Sequence, residues 1–112
     1  MQLPDVISYF ETPKGARVEL DISAQLSAFK GHFDSISIVP GVVQIQWAIA
    51  FANLYLDKIT AQDIKSLDKL KFQNVILADS KVTLNLELET THLMFSFVSE
   101  QLKHSSGKIV IA

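Results

Sequence analysis

The chain has 112 residues, of which 48% are hydrophobic and 20% charged, and its net charge is -2. It is therefore expected to be one domain over residues 1–112 with a single modest core, too apolar to be disordered and without the basic footprint that binding a nucleic-acid backbone requires. It has no cysteine, which excludes disulfides, thiolate zinc sites and a cysteine nucleophile; Met1-Gln2-Leu3-Pro4-Asp5 lacks the basic-then-apolar pattern of a signal peptide, so a cytoplasmic protein is expected.

The first strand is expected over Val6-Ile7-Ser8-Tyr9-Phe10, a β-rich run ended by the turn signal Pro13-Lys14-Gly15. Clean alternation follows, with Ala16, Val18, Leu20 and Ile22 on one face and Arg17, Glu19 and Asp21 on the other. That period of two predicts a half-buried strand. Ser23 to Lys30 is a connection anchored by Leu26 and Phe29, and it leads into a histidine-bearing loop. A helix then starts at Pro40-Gly41 and runs to about Leu56, because proline suits the first turn, where its missing N–H would have no partner. From Val42 to Leu56 only Gln44, Gln46 and Asn53 are polar. A helix apolar all round is expected to be buried on every side, and at about 17 residues with several amides it is too short to span a membrane.

After the polar link Asp57 to Asp63, the chain reads as a long strand from Ile64 to Leu77, with Leu70 and Phe72 alternating against Lys69, Lys71 and Gln73. Lys81 to Glu89 alternates most clearly, with Val82, Leu84, Leu86 and Leu88 on one face. Thr90-Thr91-His92 turns the chain into Leu93–Val98, and Lys103 to Gly107 is expected to turn it again into Lys108-Ile109-Val110-Ile111. Two strands, one apolar helix and four more strands predict an α+β domain. A curved antiparallel sheet wrapped around the helix lets each strand put its apolar face inward and its polar face in water.

The stretch from Gly31 to Ala50 also carries a motif. Gly31-His32-Phe33, a short loop, Pro40-Gly41-Val42 and then the helix resemble the β-hydroxyacyl-(acyl carrier protein) dehydratases, in particular the short single-domain members of fatty-acid-like and aryl-polyene pathways. The likeness is close over about twenty residues, with a weaker echo at Lys71-Phe72. It implies a hotdog fold, the same architecture that the alternation predicts independently. It further implies an acyl thioester on acyl carrier protein or coenzyme A as substrate, a homodimer, and no metal, redox cofactor, nucleic acid or membrane. Three positions depart from the pattern: Gln46 stands where the family has its acid, fourteen positions after His32, while Asp34 and Ser37 replace prolines.

By this resemblance His32 is the general base, with the backbone carbonyl of Ile38 orienting its imidazole and the N–H of Gly41 pointing at the thioester oxygen. Elementary chemistry agrees: a histidine titrates near neutrality, and a helix N-terminus offers free N–H groups and a positive dipole end to a developing enolate. Gln46 admits two readings, a substrate-facing amide or an amide that plugs a polar spot beneath the loop. An amide cannot deliver a proton near pH 7, and losing a positioned acid typically costs about 10²- to 10⁴-fold. Asp34, two residues from His32, is the candidate compensating acid; its other reading is a solvated loop carboxylate. His92 and His104 fall in expected turns and are read as exposed, and the three histidines lack metal-ligand spacing.

Trp47, Phe51 and Tyr55 recur every four residues, as core packing or as the wall of an acyl tunnel. Lys65, Lys69 and Lys71 are either a solvated strand face around Asp68 or a basic edge for an acidic carrier or a coenzyme A phosphate. Three functions compete: a dehydratase-like protein that eliminates water from a β-hydroxyacyl thioester to give the trans-2-enoyl thioester, a thioesterase on the same scaffold, and a non-catalytic acyl-binding or partner subunit of a hotdog heteromer. Gln46 favours the last; the presence of both His32 and Gly41 favours the first.

Overall fold

The computed structural model describes residues 2–29, 37–56, 59 and 61–111. In chain order they form β1 (Asp5–Thr12), β2 (Gly15–Ile22), a short 3-10 turn (Ser27–Phe29), α1 (Gly41–Tyr55), a second 3-10 turn (Ala61–Asp63), β3 (Ile64–Phe72), β4 (Ser80–Leu88), β5 (His92–Ser99) and β6 (Leu102–Ile111). The strands make one antiparallel sheet in the order β1-β2-β4-β5-β6-β3. Three joints, β1-β2, β4-β5 and β5-β6, are hairpins between neighbours in sequence, and β3 is carried away to the far edge, beside β6.

Cross-strand register explains the core. Residues directly opposite one another share a face, so Val18, Leu84, Phe97 and Ser105 form one inward row, and Ala16, Leu86, Phe95 and Gly107 the next. These side chains and the buried face of α1 belong to one hydrophobic cluster. The buried helix residues are Gln44, Trp47, Ala48, Phe51 and Ala52, a three-and-four spacing that puts them on one stripe. The opposite stripe is not covered: Val42 and Leu54 are 63% and 62% exposed. Burial of the helix on every side is therefore corrected for the single chain. The sheet supplies one layer, and a helix apolar all round needs two.

Two strand boundaries also differ from the sequence expectation. β3 stops at Phe72 rather than continuing to Leu77, which makes only an isolated bridge with Ile38. Within β3 the register shifts between Asp68 and Lys71, where Lys69 adopts a left-handed φ of 51°. Such a bulge moves later side chains by one position; Leu67 lies opposite Ile109 and Phe72 opposite Ser105, so both share the inward face although five positions apart. The turn expected over Lys103–Gly107 is instead strand, and the chain turns at Glu100–Gln101. Ser105 and Gly107 occupy inward positions that apolar residues usually fill. At Gly107 a Cβ would stand 2.5 Å from Leu70 Cδ2 and 2.7 Å from the Phe95 ring, so those neighbours already fill the space.

The helix stripe yields a test. Ala48 is fully buried, whereas Ala50, expected to be buried as well, is only partly so. Overpacking costs about 1–3 kcal/mol and a buried unpaired carboxylate adds a desolvation penalty, against a total stability of roughly 5–15 kcal/mol for a domain. Ala48→Glu is expected to lower the melting temperature sharply or prevent folding, and Ala50→Glu to do so less; calorimetric melting of the two variants checks the order.

Candidate functional site

The first turn of α1 is held by three anchors. Pro40 precedes the helix with φ -58° and ψ 148°, and no side chain caps it. The N–H groups of Val43 and Gln44 both donate to the Pro40 carbonyl, at 3.0 and 3.1 Å. The buried Val39 carbonyl is thus left outside the helical ladder, and Gln44 Nε2 reaches back to donate to it at 3.1 Å. Gln44 Oε1 in turn accepts from the Ser105 hydroxyl of β6 at 2.6 Å. The Val39 N–H donates to the Ile76 carbonyl at 2.9 Å, and the Ala78 N–H to that of Ser37 at 3.0 Å. Buried polar groups left unpaired cost about 1–3 kcal/mol each, and these bonds pair both polar atoms of Val39, the Gln44 amide and the Ser105 hydroxyl.

What remains unmatched is informative. Among the described residues none accepts from the N–H groups of Gly41 and Val42, and none donates to the carbonyl of Ile38. Free donors at a helix start carry the positive end of its dipole. Ile38 and Gly41 lie along a cavity of about 290 Å³ whose wall also includes Gln44, Phe72 and His104. A Cβ on Gly41 would stand 2.9 Å from the Phe72 ring, so glycine here lets that ring close against the helix start.

His104 was expected to be exposed and is not: it is 6% exposed and forms part of the same wall. Its Nδ1 lies 3.2 and 3.1 Å from the carbonyls of Asn74 and Val75. Carbonyls only accept, so the network assigns the hydrogen to Nδ1 and leaves Nε2 to accept from the Ser99 hydroxyl at 2.7 Å. The Gln73 and Asn74 N–H groups donate to the His104 carbonyl, and Asn74 Nδ2 to that of Lys103 at 2.8 Å. The imidazole is thereby a strut that fixes the segment after β3, from which Ile76 holds Val39. His92, also read as exposed, is half-buried at the start of β5, with Nδ1 3.4 Å from the Thr91 hydroxyl.

Of the residues singled out from the sequence, Ile38 and Gly41 meet at this cavity, and Gln46 is exposed on the uncovered side of α1. His32 and Asp34 lie outside the described residues. The amide plug considered for Gln46 is provided by Gln44. Its spacing from Trp47 and Ala48 placed it on the buried stripe, a signal present in the sequence; nothing there marked Ser105 or His104. Trp47 and Phe51 are core residues, and the Tyr55 ring stacks on Tyr9 at 4.3 Å between centroids. Lys65, Lys69 and Lys71 are exposed, and Asp68 accepts from the Lys69 N–H at 2.8 Å.

The clearest charge perturbation is remote from the cavity. Lys14 Nζ and Glu89 Oε1 lie 3.0 Å apart, and the hydrogen bond raises the lysine pKa and lowers that of the carboxyl. Lys14 and Tyr55 share a surface hollow at the C-terminal end of α1, a helix length of about 21 Å from Gly41. Among the described residues, no ion pair lies at the site end of the helix.

The strut makes a stability prediction. His104→Ala strands the Asn74 and Val75 carbonyls and is expected to cost about 1–3 kcal/mol; Ser99→Ala removes one hydroxyl and is expected to cost about 0.5–1.5 kcal/mol. Urea unfolding of both variants measures the difference.

Three comparisons bear on this site. No curated protein matches the sequence. Among solved structures, the dehydratase heterocomplex ApeI:P from Xenorhabdus doucetiae matches with a TM-score of 0.85 and 25% identity, covering 99% of each chain. An uncharacterised protein from Erwinia carotovora subsp. atroseptica matches with a TM-score of 0.77 and 29% identity, covering 99% of this chain and 97% of its own. A GphF dehydratase variant shares the fold at a TM-score of 0.50 and 13% identity, over 98% of this chain and 44% of its own. The sheet around one helix is the hotdog fold. The ApeI-like family model, described as ApeI dehydratase, matches residues 9–108, and the chain belongs to that dehydratase-like hotdog family.

Proposed function

We propose that this chain acts on β-hydroxyacyl thioesters presented by an acyl carrier protein, eliminating water to give the trans-2-enoyl thioester. Family membership together with one observation carries the proposal: the Gly41 N–H and the Ile38 carbonyl are both unclaimed by described residues at one cavity. In the step, the His32 imidazole takes the proton from the carbon α to the thioester. The electron pair moves towards the carbonyl, whose developing oxyanion the Gly41 N–H meets. It then returns to form the double bond as the β-carbon–oxygen bond breaks. The departing hydroxyl needs a proton to leave as water. Gln46 hydrogen-bonds that hydroxyl but does not protonate it; Asp34 is assigned the proton.

The uncovered stripe of α1 supports a homodimer. Gln46 lies on it, with exposed Val42 nearby, and edge strand β3 presents Leu67, Leu70 and Phe72. An open strand edge and a bare apolar helix face are both relieved by pairing with a second copy, and the family resemblance implies a site that draws His32 and Gln46 from different copies. A second function is favoured by Gln46 itself and by the heterocomplex formed by the Xenorhabdus relative. In it this chain is the non-catalytic acyl-binding partner of a catalytic homologue.

Sedimentation of the chain alone is expected to show a dimer at micromolar concentration; a stable monomer there removes the homodimer. Chemistry is decided by following enoyl thioester formation with wild type, Gln46→Glu and His32→Ala. Slow turnover by wild type, a gain of about 10²-fold in the glutamate variant and loss in His32→Ala are expected. Inactivity of all three with retained acyl-thioester binding establishes the partner subunit instead.

A further inference from the structure

We propose that Gln44 is a positioning residue that sets two backbone groups of the site at once, the Ile38 carbonyl and the Gly41 N–H. In this role it acts through Val39 rather than on substrate. Val39 stands between the two groups and is gripped at both polar atoms, its N–H by the Ile76 carbonyl at 2.9 Å and its carbonyl by Gln44 Nε2 at 3.1 Å. The two bonds hold the peptide units on either side of the Val39 Cα, the first of which carries the Ile38 carbonyl, so Val39 cannot turn one against the other, and Pro40, with its ring-locked φ, transmits that orientation to Gly41. On the other side, the bridge between Ile38 and Leu77 leaves the Ile38 carbonyl without a partner among the described residues, while its neighbours Ser37 and Val39 make the hydrogen bonds.

The choice of an amide follows from what it must join. The Val39 carbonyl needs a donor, and the Ser105 hydroxyl, buried at 1% exposure, needs an acceptor. Among uncharged side chains of this reach, glutamine offers both. A glutamate would keep the bond from Ser105 and lose the one to Val39. A leucine would fill the volume and lose both. Through Ser105 the first turn of α1 is also tied to β6, where the neighbouring His104 fixes the segment that supplies Ile76. Gln44 therefore closes a ring of contacts running α1, β6, the segment after β3 and Val39.

The functional consequence rests on the acyl-thioester proposal above, but the positioning itself does not, so two readouts separate them. The first uses the isotope-labelled free protein: amide exchange rates and chemical shifts of Val39, Gly41 and Val42 in wild type, Gln44→Leu, Gln44→Glu and Ser105→Ala, with Tyr55 at the other end of α1 as control. Gln44→Leu and Gln44→Glu are expected to speed exchange at Val39 and shift Gly41, with Ser105→Ala giving a smaller change and Tyr55 unmoved. The second is the carbonyl stretch of bound butyryl-coenzyme A, which lacks the β-hydroxyl and cannot react, alongside kcat and KM for the hydroxyacyl thioester. Wild type is expected to lower the stretch. Gln44→Leu is expected to lose that shift and about 10²-fold in kcat, the scale of a misplaced oxyanion donor, with KM little changed. Unaltered amides in folded Gln44→Leu overturn the positioning role, as does full retention of the carbonyl shift and kcat. If Gln44→Leu fails to fold, Ser105→Ala carries the same decision. If wild type binds no thioester, the acyl proposal fails while the amide measurements still decide the role of Gln44.

Discussion

The structure depends on one mismatch: α1 is apolar around its whole circumference, and the sheet of the same chain covers a single side of it. Burial of apolar surface contributes about 25 cal/mol per Å², so a bare stripe that includes Val42 and Leu54 is a standing incentive to associate. The sheet adds to it, because both terminal strands are largely exposed and β3 turns apolar side chains along an open edge. The site lies where these two deficits meet, at the start of α1 beside the end of β3. The same residues that fail to complete a monomer core therefore border the cavity.

Much of this architecture was legible in the sequence because β2 and β4 follow the period of two without interruption, and their inward residues are the ones buried. The helix was legible from Pro40-Gly41 and the apolar run after it. The failures cluster in β3 and β6, and they share a cause. A bulge at Asp68–Lys71 changes which residues face inward, so the alternation of Leu70 and Phe72 could not be extended. In β6 the inward positions are Ser105 and Gly107, and their polarity and small size read as a turn. Each is explained by a neighbour distant in sequence: Ser105 by Gln44, Gly107 by Leu70 and the Phe95 ring. Local pattern reports on propensity and burial; it cannot report that a core position is reserved for a hydrogen bond or a ring from elsewhere.

The candidate site was legible in the same divided way. Ile38 and Gly41 flank Val39-Pro40, and among the described residues the Gly41 N–H and the Ile38 carbonyl have no hydrogen-bond partner. His104 was misjudged because its partners, two carbonyls and the Ser99 hydroxyl, come from the segment after β3 and the end of β5. Nothing within a few residues of His104 announces them. Buried polar networks of this kind are costly when half satisfied, and this one ties together the elements that shape the cavity.

Gln44 and Gln46 show how position on a helix divides two identical side chains. Two residues are about 200° apart around an α-helix, so if one faces the sheet the other faces away. Gln44 is 3% exposed and fully engaged, donating to Val39 and accepting from Ser105. Gln46 is exposed and makes no hydrogen bond among the described residues. An amide in the first place is suited to its task, because one carbonyl and one hydroxyl must be joined without charge. In the second place the same group can orient a hydroxyl but cannot protonate it. Within one chain, then, the first glutamine is committed to the scaffold, while the second is left on the uncovered stripe. A substitution at Gln46 therefore leaves the bonds of this fold intact, whereas one at Gln44 breaks the tie between Val39 and β6.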